Sequence, residues 1–264
     1  MTYIDGTDVL VSRLGFGTGS LHHIFSKRRR QLILDQVLDA GITHFDTSPY
    51  YGYGFAEIEL GKWLRGRRHQ FTIATKVGLY PCGPASERIA SVLARKVLGK
   101  FIGKISLPEV DRSVLRAEAS LHNSLRRLGT DCVDFLFLHE LDSILLEADE
   151  TLAWLQREKR QGNIRAWGLA GSSSGILPLI HNRHPLTMVV QAKDSIDFHE
   201  ADFLADFGRR MQFTYGYLSN ARTGFKSHDK AATIRGALER NATGCVLVST
   251  RNTEHLLNLA SVIR

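Results

Sequence analysis

Gly15-Phe16-Gly17-Thr18-Gly19-Ser20 closes the first strand-like segment of the chain, and its reading decides between two folds. An open, doubly wound sheet commonly carries G-x-G-x-x-G at this turn; here serine stands where the third glycine would be. Outward from this turn, short apolar or β-branched runs recur at residues 13–18, 43–48, 71–77, 132–139, 164–170, 188–193, 211–217 and 244–250. Helical patterns at 29–40, 54–66, 109–128, 144–161, 174–182, 198–208, 229–241 and 252–263 separate them. In the third, Val114, Leu115, Leu121, Leu125 and Leu128 are spaced for one face, Asp111 or Ser113 suits the cap, and Gly129 the end. Alternation of this kind implies parallel strands joined by crossover helices. Eight strands without the glycine fingerprint favour a closed (β/α)8 TIM barrel. One barrel domain is expected over 1–264, with no second domain, internal repeat or low-complexity tract.

In such a barrel, functional side chains gather at the carboxyl ends of the strands. Three segments end there: His44-Phe45-Asp46-Thr47-Ser48-Pro49-Tyr50-Tyr51-Gly52, Ala74-Thr75-Lys76-Val77-Gly78 and Phe137-Leu138-His139-Glu140. Period-2 alternation puts Asp46 on the face of His44, Lys76 on the face of Thr72 and Ala74, and His139 on the face of Val133, Phe135 and Phe137. The candidates are thus the carboxylate of Asp46, the phenol of Tyr51, the ammonium of Lys76 and the imidazole of His139. They suit proton transfer to a carbonyl while a cofactor delivers hydride. A free tyrosine, with a pKa of about 10, is a slow acid at neutral pH. A unit charge about 4 Å away contributes roughly 4 kcal/mol at an effective dielectric near 20. At about 1.36 kcal/mol per unit, that is about three pKa units. Lys76 would therefore draw Tyr51 towards neutrality before desolvation opposes it. Asp46 would keep Lys76 charged and placed, and His139 would orient the carbonyl or join the relay.

Composition narrows the partners. The 264 residues are 43% hydrophobic and 23% charged, enough for one sizeable core. A formal net charge of +7 attracts anions, nucleic acid among them. No zinc-finger spacing, RNA-binding aromatic motif or arginine-rich tail supports nucleic acid, so an anionic cofactor and a basic surface are the reading taken. Cys82, Cys132 and Cys245 form no CxxC, which points to a reducing compartment and a cytoplasmic location. Met1-Thr2-Tyr3-Ile4-Asp5-Gly6 lacks an apolar signal core, and no apolar run reaches the roughly 18 residues of a membrane helix. His22-His23 lacks ligand spacing, so no metal is expected.

Residues 79–108 exceed the usual strand-to-helix connection. Ile89, Val92, Leu93, Val97, Leu98, Phe101, Ile102 and Ile105 form an apolar stripe there, among Arg88, Arg95, Lys96, Lys100 and Lys104. A helix packed on the barrel mouth is the first expectation. A substrate lid, a membrane-surface helix and a partner-binding helix are the others.

Taken together, these segments resemble the aldo-keto reductase superfamily over nearly the whole chain. The pieces are Leu14-Gly15-Phe16-Gly17-Thr18, Phe45-Asp46-Thr47-Ser48 with Tyr51-Gly52, Glu57, Leu60-Gly61, and Thr75-Lys76-Val77-Gly78. Ser124-Leu125-Arg126-Arg127-Leu128-Gly129-Thr130-Asp131, Val133-Asp134 through Leu138-His139, Gly162-Asn163-Ile164-Arg165-Ala166-Trp167-Gly168 and Val190-Gln191 follow in order. The wording around Asp46 and Lys76 is most like the aldose and L-galactose dehydrogenase branch. The resemblance implies a (β/α)8 barrel, a nicotinamide cofactor with NADP(H) favoured over NAD(H), and a catalytic tetrad at Asp46, Tyr51, Lys76 and His139. It places Gly17, Thr18, Gln191 and Tyr215 at the nicotinamide, and Ser249, Thr250, Arg251 and His255 at the adenosine phosphate. Ala170-Gly171 stands where the family has Ser-Asn, removing two polar contacts unless Ser172 substitutes, and Gly216-Tyr217-Leu218 replaces Pro-Leu-Gly. Ending at Arg264, the chain is expected to lack the long C-terminal substrate loop of many relatives. Tyr50, Tyr53 and Tyr80 are expected to border the same mouth; with Glu140 and Asp142 they are read either as groups that grip a sugar by hydrogen bonds and stacking or as solvated loop residues. A non-catalytic, cofactor-binding regulatory protein on the same fold is the alternative, motivated by the altered segments.

Overall fold

The computed structural model describes residues 1–101, 107–139, 148–218 and 230–252. It opens with a small antiparallel hairpin, β1 (Thr2–Tyr3) and β2 (Leu10–Val11). Next come β3 (Leu14–Gly17), α1 (Lys27–Asp39), β4 (His44–Asp46), α2 (Phe55–Leu64) and β5 (Thr72–Val77). The long connection contains β6 (Leu79–Tyr80), α3 (Ile89–Phe101) and β7 (Glu109–Val110), with β6 and β7 paired antiparallel. Then follow α4 (Val114–Leu128), β8 (Val133–His139), α5 (Ala148–Arg160), β9 (Ile164–Gly171), α6 (Ser173–His181) and β10 (Val189–Lys193). Finally come α7 (Phe203–Asp206), β11 (Phe213–Tyr215), α8 (Lys230–Arg240) and β12 (Cys245–Val248).

Eight parallel strands close a barrel in the order β10-β11-β12-β3-β4-β5-β8-β9, so the (β/α)8 expectation holds. The strand periodicity explains why. Phe135 and Phe137 on β8, Ala74 on β5 and Phe213 on β11 point inward and pack together, with Phe135 and Phe213 ring centroids 5.0 Å apart. Leu136 and Leu138, one residue out of phase, belong to the second core between barrel and helices. The hairpin adds Ile4, Val9 and Val11 to the inner cluster, a plug of apolar side chains in the barrel interior.

Local chemistry sets the helix ends. Ser113 caps α4 by accepting from the Arg116 amide, and Gly129 ends it at φ 66°. The pattern predicted from residue 109 starts only at Val114, because Glu109–Val110 is spent on β7. Leu115, expected on the apolar face, is 81% exposed. The helix expected at 198–208 contracts to Phe203–Asp206, since His199 adopts φ 53° and interrupts it. The helix expected at 252–263 lies mostly outside the described residues.

Where α2 crosses α4, a Cβ on Gly61 would come within 2.4 Å of the Arg127 carbonyl, so only glycine permits this approach. The seam is closed by Glu57, which accepts from Thr75 at 2.6 Å and from Arg127 at 2.7 Å.

Candidate functional site

Strand register assembles the mouth. Asp46 lies beside Gly17 and Ala74, His139 beside Ala170, and Ala170 beside Gln191. Lys76 sits two residues beyond Ala74 on β5 and, like Asp46, is almost fully buried. Its Nζ donates to Asp46 Oδ1 at 2.5 Å and to the Thr47 carbonyl at 3.1 Å. Gln191 Nε2 donates to the same Asp46 oxygen at 2.8 Å, and the Thr18 hydroxyl to the Asp46 carbonyl at 3.1 Å. The Tyr51 ring centroid is 5.3 Å from Lys76 Nζ. Burial pulls the Lys76 pKa down, with the Asp46 charge pulling it back up.

His139 ends β8 with its Nδ1 buried and, among the described residues, without a hydrogen-bond partner. Burial, reinforced by the Lys76 charge, lowers its pKa to about 3. Its imidazole is therefore neutral at physiological pH. One layer below, His44 is fully buried between Phe135 and Phe213, bonded to the Thr72 hydroxyl at 2.9 Å, and lowered by burial to about 4.

Asp46, Tyr51, Lys76 and His139 all line one cavity of about 660 Å³, within the range of small-molecule sites. Gly17, Gln191, Tyr215 and Ser249 line it too, as do Tyr50, Tyr53, Gly216, Tyr217 and Leu218. Thr18 stands behind the wall, fully buried. Ser249 is tied to Ser20 across the rim at 2.9 Å, and the Arg251 carbonyl accepts from Arg29 at 3.4 Å, placing a second guanidinium near that corner. His255, Glu140 and Asp142 lie outside the described residues.

Two expected positions differ. Ser172 is exposed at the start of α6, where it bonds Ser174 at 2.9 Å and does not line the cavity, so it leaves the Ala170 wall apolar. Tyr80 pairs with Glu109 in the antiparallel β6–β7 ribbon, and it lines a neighbouring cavity. The insertion does form a wall of the mouth, through Pro81, Cys82 and Leu107. Its helix α3 seats Val92 against Tyr53 and Phe55, while Val97 and Leu98 stay exposed. Tyr53 is held at φ 58° between Gly52 and Gly54, both also left-handed.

The reading from sequence missed the Gln191–Asp46 bond and the three insertion residues. Strand-end geometry brings Asp46 and Gln191 to one mouth but does not say which side chains bond, and no motif marks which insertion residues reach the cavity. A further group, Glu118, His122 and Glu158, gathers on the outer helices with ligand atoms within 4.8 Å. Arg157 already supplies a cation there, 3.2 Å from Glu118 and 3.9 Å from Glu158. No helix among the described residues is long and apolar enough to cross a membrane.

Comparison with known proteins follows the same lines. Residues 13–196 match the Aldo/keto reductase family. The chain is 30% identical over 190 residues to L-galactose dehydrogenase of Arabidopsis thaliana, covering 69% of this chain and 51% of that protein. It is 33% identical over 203 residues to the NADH-specific methylglyoxal reductase of Escherichia coli, covering 72% and 57%. These matches span about half the length of the curated relatives. In structure it resembles the holo form of an aldo-keto reductase from Bacillus halodurans, with a TM-score of 0.74 at 21% identity over 98% of this chain and 88% of that one.

Proposed function

The chain belongs to the aldo/keto reductase family, and we propose that it is a nicotinamide-dependent oxidoreductase interconverting a polar aldehyde, ketone or aldose with its alcohol or lactone. The observation that carries this is the buried Lys76–Asp46 pair, with Tyr51 above it and His139 opening onto the same cavity.

The lining fits the cofactor. Gly17, Gly19 and Gly216 leave bare backbone, Tyr215 offers an aromatic face, and Gln191 an amide. These groups suit a flat ring bearing a carboxamide; Ala170 offers it no polar contact. When bound, the nicotinamide supplies or accepts the hydride. This chain's residues handle the proton. Lys76, fixed by Asp46, favours the ionised form of Tyr51, whose hydroxyl gives a proton to the carbonyl oxygen or takes one from the alcohol. Neutral His139 orients that oxygen.

NADP(H) is the favoured form. Ser249, Thr250 and Arg251, with Arg29 alongside, supply hydroxyls and guanidinium groups suited to a 2′-phosphate. The NADH-specific relative makes this a sharp point to test. The resemblance to L-galactose dehydrogenase supports an aldose among the substrates. The three free cysteines support a reducing, cytoplasmic setting.

Fluorescence titration with NADPH and NADH comes first; tighter NADPH binding is expected, and NADH preference overturns the phosphate assignment. Tyr51→Phe should then lower kcat by about 10²–10⁴-fold with cofactor affinity kept. Near-normal turnover in that variant refutes the role of Tyr51.

A further inference from the structure

We propose that a second cavity, beside the barrel mouth, is a binding site for an oxyanion, either a carboxylate or a phosphate group. It measures about 350 Å³ and shares Tyr53 and Pro81 with the main cavity as a common wall. Its floor is one face of α4, where Arg116, Ser120, Asn123 and Arg127 recur at helical spacing. Among the described residues, no carboxylate lines it.

The two guanidinium groups differ. Arg127 is engaged by Glu57 and Ser124. Arg116 is available. Among the described residues its side chain makes no hydrogen bond, and its nearest carboxylate, Glu109, is 3.8 Å away with both side chains about half exposed. Such a pair contributes little. What holds Arg116 is the Tyr80 ring, 5.0 Å from the guanidinium carbon. Tyr80 is itself only 2% exposed, so it forms a fixed platform beneath a planar cation. A guanidinium seated over an aromatic ring still presents N–H groups to other partners, groups that carboxylate and phosphate take in paired hydrogen bonds. The Ser120 hydroxyl and Asn123 amide stand one and two turns further along the same face. At the rim, Gly54 is left-handed, and a Cβ there would come within 3.2 Å of Arg127.

This site is separate from the corner near Arg251. α4 enters β8 on one side of the barrel, while Ser249 follows β12, which lies across the ring beside β3. The oxyanion has two sources: a free anion, or the anionic end of a substrate whose carbonyl occupies the main cavity.

The test is calorimetric titration of the full chain with inorganic phosphate at low salt, for wild type, Arg116→Ala and Asn123→Ala. Arg127 is left intact because Glu57 depends on it. Saturable binding is expected, weakened about tenfold or more by Arg116→Ala and less by Asn123→Ala. Absence of saturable binding, or equal binding by Arg116→Ala, overturns the proposal. A second arm compares kcat/KM for glyceraldehyde and glyceraldehyde 3-phosphate. A loss in Arg116→Ala confined to the phosphorylated aldehyde assigns the site to the substrate's own anion; values unchanged from wild type for both aldehydes, with phosphate binding still lost, assign it to a free anion. Should neither aldehyde turn over, these two aldehydes are not substrates, and the phosphate titration alone decides the site.

Discussion

Asp46 and Glu57 are both buried carboxylates bonded to basic side chains, one facing the barrel interior and the other outside β5, yet they are partnered differently. Glu57 is fully enclosed, and each of its oxygens is taken, one by Thr75 and the other by Arg127. Those bonds lock α2, β5 and α4 together. Asp46 instead concentrates Lys76 and Gln191 on a single oxygen, and all three side chains border the main cavity. The same kind of ion pair is a fastener where it is sealed, and is available for the proposed chemistry where one side opens to a cavity. A buried pair is by itself weak support for stability, and the cavity is what separates the two roles.

The comparison can be broken in four ways. Lys76→Met should give the largest change, a fall in kcat of about 10²–10⁴-fold with the protein still folded; retained turnover would remove Lys76 from the proposed mechanism. Arg127→Met should do the reverse. Stranding Glu57 should cost about 3–5 kcal/mol in urea denaturation, with kcat per folded molecule unchanged. If its kcat fell as far as that of Lys76→Met, the two pairs would not be distinct. Gln191→Leu should cost about 1.5–3 kcal/mol through the lost bond to Asp46, and should also weaken nicotinamide binding. A loss of stability alone would leave Gln191 a brace for Asp46.

The smallest effect is in pH. His139 and His44 titrate at about 3 and about 4 in the folded chain, against roughly 6.5 when unfolded. Between those values the unfolded chain holds protons that the folded one refuses. Stability therefore falls as pH drops, by about 1 kcal/mol per histidine between about pH 7 and pH 5.5. Denaturation midpoints should show this slope, and His44→Leu should remove about half of it. An unchanged slope in that variant would mean His44 is not held neutral.

The eight barrel strands were legible because each is a short apolar run whose alternate residues must serve two cores, as Phe135 and Leu136 do on β8. That Asp46, Tyr51, Lys76 and His139 would meet at one cavity was legible because barrel geometry gathers strand ends and the loops that follow them, whatever their separation along the chain. Other features depend on contacts that one sequence does not reveal. The β1–β2 hairpin consists of two-residue strands whose value lies in plugging the barrel with Ile4, Val9 and Val11. Tyr80 was placed at the main mouth because it follows β5 closely; it pairs with Glu109, a residue beyond α3, and lines the neighbouring cavity. Helix α7 was overestimated because His199 takes a left-handed conformation that composition does not announce.

The barrel closes by pairing β3 with β12, Leu14 lying beside Val246. As the chain leaves the ribosome, β4 arrives early to cover one edge of β3, but the other edge waits until the six intervening barrel strands and then β12 have been made. During synthesis the nascent chain therefore carries an unpaired parallel edge, a template for pairing with a neighbouring chain. With closure set by a contact so distant along the chain, folding is expected to be slow.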